Sequence, residues 1–144
     1  MGIQTIGFDK LNQLRHARYF KDGAGIRKQM EKHADIIRPK FETVLNAFES
    51  ELASLGIAKW SKPLGGYFIS LDVTVGSAKR VYELAKQAGV TLTPAGAPFP
   101  YGVDPEDTNL RIAPTYPPMN ELNEAVKVLC LCVKLSAVEV LLSR

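Results

Sequence analysis

The sequence predicts a two-layer α/β (α+β) fold, helices packed against a small mixed sheet. Three observations carry this. Apolar residues recur every three or four positions from Ile26 to Leu55; β-rich runs surround Tyr67–Val73 and Arg111; and an apolar stretch from Met119 to Leu142 is long enough for a last helix. At 144 residues and 46% hydrophobic, the chain can bury a core without disulfide or metal staples.

The first segment, Phe8 to Phe20, reads as a short helix with Leu11, Leu14, Ala17 and Arg18 along one side, closed by the turn-rich residues 21–25. From Ile26 a long amphipathic helix follows, with Met30, Ile37, Phe41, Val44, Leu45, Phe48, Leu52 and Leu55 recurring every three or four residues and Gly56 as its stop. Pro39 lies inside it. An interior proline costs on the order of 3 kcal/mol, so a kink or break is expected near Arg38.

Ile57–Trp60 and Tyr67–Val73 read as strands joined by a turn at Lys62–Gly66. Ser77 is placed to cap a helix running to Ala88 with an inward stripe of Val81, Leu84, Ala85 and Ala88, and Gly89 ends it. Val90–Thr93 reads as a further strand. Residues 94–109 then carry Pro94, Pro98, Pro100 and Pro105 with Gly96 and Gly102, which forbids a regular ladder and makes a long loop of the functional kind. The last helix, Met119–Leu142, spreads Leu122, Val126, Leu129, Leu131, Val133, Leu135, Val138 and Leu141 beyond one stripe, so it needs cover on several sides.

The charge is +3, with 18 basic and 15 acidic residues scattered along the chain, and the aromatic residues are too dispersed for a base-stacking platform, which argues against nucleic acid as a partner. Cys130 and Cys132 lie two apart in a helical segment, point to different faces and cannot pair with each other; they read as buried thiols of a reducing compartment. The first residues lack a signal-peptide pattern and no apolar run is long enough to span a bilayer, so a soluble, cytoplasmic protein is expected.

Arg111 stands in the run Asn109–Pro118 (NLRIAPTYPP), a cation in a short apolar strand that stops at prolines. Two readings are open: an edge arginine paired with an acid such as Asp107, or a bidentate clamp on a carboxylate or phosphate. Gly65 and Gly66 before Tyr67 are either a plain turn or a backbone kept bare for a ligand, and Pro94, Ala95 and Gly96 are either a spacer or a cleft wall beside Arg111. Gly23 and Gly25 fit a helix entry and lack the full phosphate-binding patterns. His16 and His33 have no partner at metal spacing, so no metal site is expected.

Three stretches taken together, Pro63–Asp72 (PLGGYFISLD), Ala88–Gly96 (AGVTLTPAG) and Asn109–Ala113 (NLRIA), resemble the C-terminal region of fold-type I, pyridoxal-phosphate-dependent aminotransferases of class I/II. Ile6–His16 (IGFDKLNQLRH) and Cys130–Lys134 (CLCVK) are similar to a bacterial aspartate aminotransferase subgroup that uses 2-oxoglutarate. The resemblance implies residues 1–24 as a lead-in from a large domain and residues 25–144 as the small domain. It also implies that Arg111 grips the α-carboxylate of an amino-acid substrate, that Gly65, Gly66, Tyr67 and Pro94–Gly96 border the cleft, and that Arg15 is a weaker second carboxylate contact.

In that family the large domain carries the Schiff-base lysine and holds pyridoxal 5'-phosphate. No lysine here, Lys59, Lys62 and Lys79 included, sits in a stretch resembling that motif. The expectation is therefore a transaminase by family whose full-length form uses the cofactor, amino acids and 2-oxo acids and is a homodimer. This chain alone is expected to hold no catalytic or cofactor-binding residue, to be inactive, and to self-associate where the large domain would cover it. The competing reading is a non-catalytic small α/β module that captures an anion or docks a protein.

Overall fold

The computed structural model describes residues 9–143, which divide into two compact units, one running up to Arg38 and the other starting at Pro39. In the first, α1 (Lys10–Phe20) starts at Asp9, whose carboxylate accepts the N–H of Asn12 at 2.9 Å. Lys21 turns the chain with φ 62°, and Asp22 caps α2 by accepting the N–H of Gly25 at 2.9 Å. A Cβ on Gly25 would collide with the Phe20 carbonyl, which accounts for the glycine in this tight corner. Nothing in α1 is buried; Leu11, Leu14 and Tyr19 are exposed.

Helix α2 (Gly23–Leu52) is continuous through Pro39, so the expected break at Arg38 does not occur. The ring removes one backbone donor. The turns that follow bury Phe41, Val44, Phe48 and Leu52, and that burial outweighs the loss. Gly56 then closes the segment in the left-handed region at φ 64°, as its place in the sequence requires.

In the second unit the strands are β1 (Ala58–Trp60), β2 (Ile69–Val73) and β3 (Asn109–Ile112), in the spatial order β1-β2-β3. Both pairings are antiparallel, with Ala58 opposite Val73 and Ser70 opposite Arg111. This corrects the mixed sheet expected from the sequence. Val90–Thr93, the segment expected to be a further strand, runs as unpaired chain. Alternation sorts the faces: Ile69, Leu71, Leu110 and Ile112 enter the core, while Ser70, Asp72, Asn109 and Arg111 share the other face.

Helix α3 (Ala78–Gln87) contributes Val81 and Ala85 to the core. Ser77 occupies the N-cap position, as expected, but its side chain makes no cap bond, because its hydroxyl donates back to the Thr74 carbonyl at 2.6 Å. Asp107 caps it from the far end of the proline-rich loop: its carboxylate accepts the N–H of Lys79 at 3.1 Å and its carbonyl accepts that of Ala78 at 2.8 Å. Helix α4 (Met119–Leu142) buries Leu122, Val126, Leu129, Cys130, Val133 and Ala137. Leu131, Leu135, Val138 and Leu142, on the opposite face, are exposed, so within the described residues the helix is covered on one side. No helix among the described residues is long and apolar enough to cross a membrane.

Candidate carboxylate-binding cleft

A cleft of about 960 Å³ opens beside β3, walled by the chain from Ala88 to Pro94 on one side and by Arg111–Pro114 and α4 on others. Its lining is mostly apolar, with Val44, Val90, Leu92, Ile112, Leu122 and Val126 among the contributors. Arg111 supplies the positive charge. The structure brings Arg111 and Pro94 to the lining of one cleft, while Ala95 and Gly96 lie outside that lining.

Arg111 is half-buried, and no side-chain ion pair or hydrogen bond engages it among the described residues. Its Nε is buried and unpartnered. Asp107, the acid that the ion-pair reading offered it, is occupied at the N-terminus of α3. The guanidinium instead lies over the Phe68 ring, Cζ 4.5 Å from the centroid. Sequence reasoning assigns Phe68 no role. The signal that finds it is the strand period, since Phe68 precedes Ser70 by two and Ser70 faces Arg111.

Two supports hold the cleft wall. Asp104 is buried and accepts the backbone N–H groups of Glu106, Thr108 and Asn109 at 3.1, 2.8 and 2.8 Å, fixing the loop against the start of β3. Burial by itself raises the Asp104 carboxyl, but these donors with the Thr108 hydroxyl bring it below the usual range. Lys40 donates to the carbonyls of Thr115 and Pro117, each at 2.7 Å, and so ties α2 to the chain between Arg111 and α4.

Gly65, Gly66 and Tyr67 form an exposed bend before β2, outside the cleft lining. Gly66 has φ 89°, which requires glycine; Gly65 has no such constraint and a Cβ there would meet nothing within 4 Å. Gly96 has φ 82° and a Cβ would strike the Gly102 carbonyl, so this glycine is needed by the loop's own packing. Arg15 is exposed on α1. Cys130 and Cys132 are free and buried, and burial pushes the Cys130 thiol up to about 11.

The cleft lining holds no lysine. The Gly23–Gly25 corner offers no phosphate cradle either, because the Gly25 N–H is spent on Asp22. The cleft lining alone thus supplies no amine for a Schiff base with pyridoxal phosphate. Arg111 is the cation that the cleft lining presents, beside the carboxylates of Glu121 and Glu124.

A family profile described as aspartate amino-transferase matches residues 1–144. The chain is 54% identical over 138 residues to the aspartate aminotransferase of Corynebacterium glutamicum, covering 96% of this chain and 32% of that protein. The crystal structure of an aspartate transaminase from the same organism superposes with a TM-score of 0.88 at 54% identity, over 96% of this chain and 32% of that one. The α-aminoadipate aminotransferase of Thermus thermophilus, solved with N-(5'-phosphopyridoxyl)-L-leucine, superposes with a TM-score of 0.73 over 95% of this chain and 34% of that one; at 21% identity it shows the shared fold alone. The chain thus spans about a third of the length of the relatives it matches. With the whole chain matched by one profile and the small-domain fold shared with solved aminotransferases, this chain belongs to the aspartate aminotransferase family.

Proposed function

We propose that this chain is the substrate-carboxylate-binding part of a pyridoxal-phosphate-dependent aminotransferase that acts on an amino acid, aspartate by kinship, with 2-oxoglutarate as acceptor. Residues 1–24 are the lead-in from a large domain and residues 25–144 the small domain. The observation that carries this reading is Arg111: a guanidinium in a cleft, without an acid of its own among the described residues. Such a group receives a carboxylate through paired N–H donors and fixes its plane.

The cofactor, bound by a large domain, supplies the electron sink for transamination. This chain's share is orientation: Arg111 holds the α-carboxylate, the apolar walls exclude water, and the bend at Gly65–Tyr67 borders the site once the large domain is present. We place the assembled enzyme in the cytoplasm as a homodimer. Arg15 serves as a secondary carboxylate contact in that assembly.

The experiment is direct. Mixed with pyridoxal phosphate and borohydride, this chain alone should yield no stoichiometric adduct at a single lysine and no turnover of aspartate with 2-oxoglutarate. A stoichiometric adduct at one lysine, with turnover, would overturn the division of labour.

A further inference from the structure

We propose that Phe68 is the positioning residue of the carboxylate clamp: its ring holds the Arg111 guanidinium in a fixed plane at the cleft. The inference rests on the reading of Arg111 as that clamp and adds the group that gives the clamp its geometry. In the antiparallel register Ser70 stands opposite Arg111, so Phe68, two residues earlier, lies on the same face and diagonal to Arg111. Diagonal neighbours on a sheet are within reach of an aromatic ring and a long side chain. The Cζ-to-centroid distance of 4.5 Å shows that this reach is used.

The left-handed Gly66 turns the chain immediately before this position, and Phe68 remains partly exposed at 45%, so the ring serves the arginine rather than the core. An arginine without an acid partner would otherwise sample many rotamers and lose that freedom on binding. A ring face supplies attraction without neutralising the charge and leaves the in-plane donors free for an anion. Because Nε is covered, the two terminal nitrogens present the fork, and a carboxylate is taken end-on.

The test uses this chain with succinate as the probe, read by NMR of the arginine Nε–H resonances. The Arg111 signal should be displaced by the Phe68 ring current, lose that displacement in Phe68→Leu and keep it in Phe68→Tyr. Succinate affinity should fall about tenfold in Phe68→Leu, stay within about twofold in Phe68→Tyr, and vanish in Arg111→Gln. Loss of binding in Arg111→Gln with unchanged binding in Phe68→Leu would overturn the role of Phe68 and leave the clamp standing. Unchanged binding in Arg111→Gln, or none in the parent chain, would overturn the clamp for this chain; the Phe68 stacking is then decided by the resonance, and an undisplaced signal refutes it.

Discussion

The Asp104 carboxylate accepts the backbone N–H of Asn109 at 2.8 Å, two residues before Arg111, so a buried acid in the proline-rich loop fixes the start of the strand that carries this arginine. Three backbone donors converge on it. Asp104→Asn puts an amide donor where the carboxylate accepted, and should cost about 1–3 kcal/mol of stability by urea unfolding. A loss below about 0.5 kcal/mol would show that the loop does not depend on this acid.

The same carboxylate sets a pH dependence. Its folded pKa lies below the usual aspartate value, so its contribution is complete above the unfolded pKa, about 3.9, and is lost as pH falls through the folded one. The acid limb of the stability profile should therefore be shallower in Asp104→Asn than in the parent chain. Superimposable limbs would refute this.

The glycines separate into structural and spare. Gly96→Ala combines a left-handed backbone with a collision at Gly102 and should destabilise by more than about 1 kcal/mol in thermal unfolding. Gly65→Ala meets open space and should stay within about 0.5 kcal/mol of the parent. If Gly65→Ala nevertheless lowers turnover in an assembled enzyme, the bare backbone there belongs to the ligand.

The two cysteines should remain unpaired and slow to react. With Cys130 raised from 9.0 to about 11, its thiolate fraction near pH 8 is roughly a hundredfold below that of the unperturbed thiol, before burial limits access. Iodoacetamide should label Cys130 rapidly only in denaturant. Fast labelling of the native chain would contradict its buried placement.

Helix α4 presents Leu131, Leu135 and Val138 outward at 62%, 48% and 50% exposure. This chain should associate with concentration in sedimentation velocity, and Leu135→Lys should weaken that association with little change in unfolding midpoint. A parent chain that stays monomeric at high concentration would argue that this face needs no cover.

Where structure follows from local spacing, the sequence was legible. Phe41, Val44, Phe48 and Leu52 mark their helix face by period; the α-helix ends at Leu52, and Gly56 closes the 3-10 turn after it with its left-handed backbone. Legibility ends where the partner is distant in the chain. Val90–Thr93 has strand-forming residues, but a strand also needs a neighbouring edge in reach, and composition carries no such information. Ser77 takes the cap position, yet the side-chain acceptor comes from Asp107, 28 residues further on from Lys79. For Arg111 the sequence shows the cation; only the fold shows that its candidate acid is engaged elsewhere and that Phe68 lies beneath it.

The most direct measurement is the steady-state kinetics of a chimera in which this chain replaces the matching third of the Corynebacterium glutamicum aspartate aminotransferase, with and without Arg111→Ala. If Arg111 grips the substrate carboxylate, the chimera transaminates and its kcat/KM for the amino acid falls by about 100- to 1000-fold in Arg111→Ala while cofactor absorbance is retained. An unchanged kcat/KM would contradict that grip.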